Sequence, residues 1–121
     1  MVKKVMLIDD VPIANFIMRK LIERVAPEYE VIDFTVPEQA INSMEELSPD
    51  LIFLDLNMPV IDGWQFLDLM NENNFENKVY ILTSSTSELD EQQSRQYKNV
   101  MGFLIKPVNI NALPAVLEVI R

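Results

Sequence analysis

Leu51-Ile52-Phe53-Leu54-Asp55 is a run of four large apolar residues that stops at a carboxylate. Three other stretches repeat the design: Val5-Met6-Leu7-Ile8 stops at Asp9-Asp10, Val79-Tyr80-Ile81-Leu82 at Thr83, and Val100 to Ile105 at Lys106. Short apolar runs of this kind read as strands covered on both faces, the situation of a parallel sheet between helices. Ligands of such sheets bind outside the carboxyl ends of the strands. The pattern therefore predicts three carboxylates, a hydroxyl and an ammonium at one sheet edge. That combination suits a metal ion and a phosphoryl group.

Outward from these runs, strand and helix alternate five times. Strands are expected near 3–8, 30–35, 50–55, 78–83 and 100–105, and helices near 12–25, 37–47, 63–72, 87–98 and 110–120. Strict alternation implies right-handed crossovers and an α/β fold. The expected architecture is a five-stranded parallel sheet in the order 2-1-3-4-5, flanked by helices in the doubly wound, flavodoxin-like manner. Ala14, Ile17, Met18, Leu21 and Val25 predict the buried stripe of the first helix. Thr35 and Glu38 read as a capping box opening the second. Pro114 favours a start of the last helix at Asn111 rather than Asn109, with Ile110, Leu113, Leu117 and Ile120 as its stripe. Connections are short, so residues 1–121 are expected to form one domain with no effector attached.

Composition removes several function classes. There is no histidine and no cysteine, which excludes a Ser-His-Asp triad, a thiol nucleophile, a disulfide framework and the usual zinc sites. A net charge of −9 with only ten Lys and Arg argues against direct nucleic-acid binding. No apolar run reaches the length of a membrane span and nothing resembles a signal peptide, so a cytoplasmic location is expected.

Strands one and three are neighbours in the expected order, which brings Asp9 and Asp10 beside Asp55. Two unit charges about 4 Å apart repel by roughly 4 kcal/mol at an effective dielectric near 20. Three carboxylates crowded together need a cation, and hard oxygen donors select Mg²⁺, with Mn²⁺ or Ca²⁺ as substitutes. Asp55 is the candidate nucleophile and the acidic pair the metal holder. The backbone carbonyl of Asn57 is a further candidate ligand. Lys106 and Thr83 offer a positive charge and a hydroxyl to phosphoryl oxygens. Ser84 is small enough to leave the phosphate room.

These residues resemble the receiver domain of two-component response regulators. The motifs are Ile8-Asp9-Asp10, Leu54-Asp55-Leu56-Asn57-Met58-Pro59 with Asp62-Gly63, Leu82-Thr83-Ser84, and Gly102-Phe103-Leu104-Ile105-Lys106-Pro107. The resemblance spans the whole chain. It implies phosphorylation-controlled signalling, in which Asp55 accepts a phosphoryl group from a phosphohistidine on a sensor histidine kinase or a histidine phosphotransfer protein. Mg²⁺ would be held by Asp9 or Asp10, Asp55 and the Asn57 carbonyl. No separate substrate turnover is implied. Thr83 and Phe103 would form the switch pair, Phe103 standing where Tyr is commoner; Phe103 also reads as a plain core aromatic. Asn57 and Ser85 occupy positions that tune phosphate lifetime, and Lys106-Pro107 matches a cis peptide.

Two rival readings share parts of this pattern. An aspartate-nucleophile phosphatase of the haloacid dehalogenase type wants Asp-x-Asp after its first strand, where this chain has Asp9-Asp10. A flavodoxin-like cofactor binder wants a Gly/Ser/Thr-rich phosphate loop after Ile8, which is missing. Partner surfaces are less legible. The fourth helix is nearly all polar, with Leu89 and Tyr97 available for a core stripe, so it reads as a loosely docked switch element or as a merely solvated helix. Ala112, Val116 and Val119 form a second apolar face on the last helix, open to broader burial, a dimer contact or a partner. Phe16 lies off the first helix's stripe and is a candidate for docking the donor or a downstream target.

Overall fold

The computed structural model describes residues 2–84 and 88–121. Five parallel strands, β1 (Lys4–Ile8), β2 (Glu30–Phe34), β3 (Leu51–Asp55), β4 (Lys78–Thr83) and β5 (Val100–Ile105), lie in the order β2-β1-β3-β4-β5. Between them run α1 (Pro12–Val25), α2 (Pro37–Leu47), α3 (Gly63–Glu72) and α4 (Glu88–Ser94). The chain closes on α5 (Leu113–Leu117), which has a 3-10 turn at each end, Ile110–Ala112 and Glu118–Ile120.

The period of two along each strand divides the core. Met6, Ile8, Ile52, Leu54 and Ile81 face α2 and α3, where they meet Ala40, Met44, Phe66, Leu67 and Met70. Val5, Leu7, Leu51, Phe53 and Leu82 face the other way and meet Met18, Ile22, Leu113, Val116 and Ile120. Every residue of β3 is buried, as its unbroken apolar run requires for a central strand. Register then aligns the strand ends: Ile8 pairs with Leu54, Asp55 with Leu82, and Thr83 with Ile105. Asp9, Asp55, Thr83 and Lys106 thus emerge at one edge.

Several local expectations need correction. Met18, Leu21 and Val25 pack on the core as expected, but Ile17 is 54% exposed, and the fully buried positions of α1 are Asn15, Met18 and Ile22. Thr35 opens no capping box: Pro37 stands at the first helical position, which makes Val36 the boundary residue, and its side chain has no capping oxygen. The capping box belongs to α3, where Asp62 Oδ1 accepts from the Gln65 N–H and the Asp62 N–H donates to Gln65 Oε1, both at 2.9 Å. The last helix starts from Asn109, whose Oδ1 accepts from the Asn111 N–H at 2.9 Å. Pro114 fits because it sits in the first turn of α5, where its missing N–H has no partner to lose.

Gly63 marks a close approach of two segments. A Cβ there would lie 2.8 Å from Leu56 Cα and 2.9 Å from the Asp55 carbonyl oxygen. The start of α3 rests directly on the exit of β3, held by the Gly63 N–H donating to the Leu56 carbonyl at 2.9 Å. We expect Gly63→Ala to destabilise the domain by roughly 1–3 kcal/mol through overpacking, measured by urea unfolding; an unchanged midpoint would refute this contact.

The candidate fourth helix is shorter than expected, ending at Ser94, which is its buried residue among those described. Leu89 is 76% exposed and joins no core. Tyr97, past the helix end, is buried: its ring stacks on Trp64 at 6.0 Å and 23°, and its hydroxyl donates to Asp68 Oδ1 at 2.6 Å. Burial, then the Asp68 hydrogen bond and charge, push the Tyr97 hydroxyl up to about 12. A raised value in the fold contributes stability that is present below the ordinary pKa of 10.0 and is lost as pH rises through about 12. Tyr97→Phe should therefore lose stability less steeply than wild type between these values, which pH-dependent unfolding would measure. On α5, Val116 is buried and Val119 packs beside it, so the second apolar face is absorbed into the core.

Candidate phosphoacceptor site

Asp9 lies just past the end of β1, Asp55 ends β3, and Lys106 follows β5. The fold brings their charged atoms together although 97 residues separate the first from the last. Lys106 Nζ donates to Asp9 Oδ2 at 2.6 Å and lies 3.3 Å from Asp55 Oδ1. Asp9, Asp10 and Asp55 each offer one carboxylate oxygen within 4.8 Å of the others. Asp9 and Asp55 are buried and Asp10 is half-buried. The donor set is all oxygen, hard and anionic, which fits Mg²⁺.

Local hydrogen bonds aim these groups. Asp9 Oδ1 accepts from the Val11 N–H at 3.0 Å, leaving Oδ2 for Lys106. Asp55 Oδ1 accepts from the Asn57 N–H at 3.3 Å, which turns the Asn57 backbone back over the carboxylate. The Lys106 N–H donates to the Thr83 carbonyl at 2.8 Å, so β4 and β5 present Thr83 and Lys106 side by side. The Lys106-Pro107 peptide bond is cis, as the motif implied. The loop after Asp55 also holds Val60 at φ 67° with 88% of its surface exposed. A β-branched residue in the left-handed region costs roughly 1–2 kcal/mol, and Met58-Pro59-Val60 carries no sequence signal for it.

Electrostatics record the crowding. Burial raises the Asp55 carboxyl above its ordinary value, and the Asp9 charge raises it further; Lys106 and the Asn57 N–H only partly oppose them. Burial alone would lower the Lys106 ammonium, but its hydrogen bond to Asp9 and the charges of Asp55 and Asp9 outweigh that and hold it above its ordinary value. Two openings flank the cluster. A polar one of about 400 Å³ is lined by Leu56, Asn57, Met58, Asp62, Thr83 and Asp90, among others. An apolar one of about 320 Å³ lies along α1, with Asp9 and Lys106 in its wall.

The other expected residues fall as follows. Thr83 is buried, Ser84 is exposed, and Phe103 is half-buried against the α2/α3 side of the core. Ser85 lies outside the described residues. Phe16 is 53% exposed, with Lys20 Nζ 5.4 Å from its ring centre. Sequence reading missed Asn15, which is 2% exposed and donates to the carbonyls of Asp9 and Phe34. An Asn at a stripe position of a helix was the available signal. Among the described residues no helix is long and apolar enough to cross a membrane.

Comparison with known proteins agrees with this geometry. Residues 5–118 match the response regulator receiver domain. The nitrate/nitrite response regulator NarL of Escherichia coli is 34% identical over 103 residues, covering 84% of this chain and 47% of that protein. The chain thus spans about half of that relative. A two component response regulator from Cytophaga hutchinsonii, of known structure, is 30% identical with a TM-score of 0.85, covering 97% of this chain and 95% of the other. Vibrio cholerae chemotaxis protein CheY4 shares the fold end to end, with a TM-score of 0.86, 24% identity and 100% of both chains covered. Receiver domains are generally non-enzymatic, bind Mg²⁺ in an acidic pocket and interact with histidine kinases or phosphotransfer proteins. With the acidic cluster, the strand order and the match over residues 5–118 in agreement, the chain belongs to the receiver domain family of two-component response regulators, whose work is phosphorylation-controlled signalling.

Proposed function

We propose that Asp55 is the phosphoacceptor. A phosphohistidine on a partner histidine kinase or phosphotransfer protein supplies the group, and Asp9, Asp10, Asp55 and the Asn57 backbone carbonyl hold Mg²⁺. One observation carries the reading: Lys106 Nζ stands 2.6 Å from Asp9 and 3.3 Å from Asp55 within the three-carboxylate cluster. Three carboxylates against one ammonium leave an excess of two negative charges, which a divalent cation balances.

In the transfer, an Asp55 carboxylate oxygen forms the new bond to phosphorus as the bond to the imidazole nitrogen breaks. The ring leaves as neutral imidazole when its other nitrogen already carries a proton; otherwise the departing nitrogen takes a proton from water. Bound Mg²⁺ would supply charge neutralisation for the phosphoryl oxygens. Lys106 holds a fixed positive charge beside Asp55 and meets a second oxygen. Thr83 donates its hydroxyl to the phosphate, and Ser84 adds little bulk beside it. The product carries about −1.5 to −2 charge and new acceptor oxygens, enough to pull Thr83 inward. Phe103, half-buried on the neighbouring strand, would turn further in and change the surface that a downstream protein reads. Asn57 and Ser85 are assigned to phosphate lifetime. Exposed Ile13, Phe16 and Ile17 lie on α1 at the acceptor end and give the donor an apolar footing. Residues 1–121 act as the receiver unit, turning over no separate substrate, contacting no nucleic acid and working in the cytoplasm.

Incubation with a small phosphodonor and Mg²⁺, followed by intact mass measurement, tests this directly. Wild type is expected to gain one phosphoryl group and Asp55→Asn none. Uptake that survives the substitution reassigns the acceptor.

A further inference from the structure

We propose that Asn15 is a positioning residue for the acidic pair: its carboxamide fixes the backbone that carries Asp9 and Asp10 and so sets their fitness for a divalent cation. The inference rests on the phosphoacceptor reading above.

Asn15 lies in α1 on the face shared with Met18 and Ile22, and it is 2% exposed. A carboxamide buried there is costly unless bonded, and Asn is a poor residue for a helix interior. Leucine would serve packing better. The carboxamide instead reaches backward out of the helix. Its Nδ2 donates to the Asp9 carbonyl and to the Phe34 carbonyl, each at 3.1 Å. Two carbonyl acceptors also decide which side of the amide carries nitrogen.

The Phe34 carbonyl accepts from the Asp9 N–H as well, at 3.2 Å. Asp9 is therefore tied at four points: its N–H to β2, its carbonyl to Asn15, and its two carboxylate oxygens to Val11 and Lys106. The Asp9 carbonyl belongs to the same planar peptide group as the Asp10 N–H. Holding that plane sets where both side chains leave the backbone. Val11, at the helix boundary, has no side-chain oxygen to anchor the turn. Asn15 instead ties the turn from inside the helix, by donating to the carbonyl of Asp9. Groups that orient metal-binding carboxylates typically change metal affinity by about 10–100-fold when removed.

Mg²⁺ titrations followed by NMR of backbone amides test the assignment, with urea unfolding run in parallel on wild type, Asn15→Leu, Asn15→Ser and Met18→Ala. Asn15→Leu keeps the branched outline and removes both donors; Asn15→Ser keeps one short donor and serves if the leucine variant does not fold. Both are expected to weaken Mg²⁺ binding about tenfold or more. Met18→Ala, which loosens the same helix without touching Asp9, is expected to keep wild-type affinity. Unchanged affinity in a folded Asn15 variant, or an equal loss in Met18→Ala, overturns the inference. No saturable Mg²⁺ binding by wild type would instead remove the phosphoacceptor reading, and this inference with it.

Discussion

Lys106→Met is expected to lower the stability of the metal-free protein by roughly 3 kcal/mol, seen as a reduced urea midpoint at unchanged m-value. Among the described residues its ammonium bridges Asp9 and Asp55, at 2.6 and 3.3 Å. Those carboxylates are 3% and 7% exposed, so neither can recruit much water if the partner leaves. Breaking a fully buried pair costs about 3–5 kcal/mol. Lys106 is 29% exposed, which places the effect at the low end. The sign with pH follows from its raised value. The contribution is full below the ordinary 10.5 and is lost as pH rises through the folded value, so the difference from wild type should hold through neutrality and shrink in alkali. Phosphoryl uptake should also slow by about 10²–10³-fold, the usual effect of removing one group that stabilises transition-state charge. Equal stability and uptake in the variant would remove Lys106 from the site.

Asp55→Asn should move stability the opposite way. Burial, then the Asp9 charge, raise the Asp55 carboxyl above its ordinary 3.8. For a carboxyl this means the fold favours the neutral form: that stability is present at pH below 3.8 and is lost as pH rises through the folded value. Above that folded value wild type has lost it, whereas an amide never ionises. The metal-free variant should therefore melt above wild type at pH 7, with the gap closing in acid. Divalent cation should reverse the ranking. At a Mg²⁺ concentration about 100 times the dissociation constant, wild type gains about 2.7 kcal/mol, roughly 10 °C in midpoint. Asp55→Asn, with one ligand gone, should gain far less. Melting curves of both proteins with and without Mg²⁺ at two pH values check all four signs, and a variant that responds to Mg²⁺ as wild type does would exclude Asp55 as a ligand. That two neighbouring side chains give opposite signs follows from one fact: the site has surplus negative charge, which Lys106 relieves and Asp55 adds to.

The large elements were legible because two periods dominate them. Runs such as Leu51 to Leu54 have no polar interruption, and a strand buried on both faces allows none. The bounds of α1, α2 and α3 follow from Pro12, Pro37 and the Asp62-Gly63 pair, which mark helix starts for reasons local to the chain. Errors came where the outcome depends on what lies opposite. Ile17 and Leu89 look like core residues by type, but both stand exposed among the described residues. Thr35 looks like a cap, yet Pro37 moves the boundary by one residue. Asn15 looks like a polar intrusion until the Asp9 and Phe34 carbonyls are seen within its reach.

Chain order and residue type were enough to announce an acidic, histidine-free, parallel-sheet domain with its chemistry at the strand ends, because backbone periodicity and strand handedness are properties each segment carries within itself. Distances needed the folded molecule. The contact of Lys106 with Asp9, the crowding that lifts the Asp55 carboxyl, the left-handed turn at Val60 and the Asn15 tie are all made between segments or imposed on one by its neighbours. Coulomb energy and hydrogen bonding change steeply over an ångström, and no spacing along the chain encodes an ångström between strands.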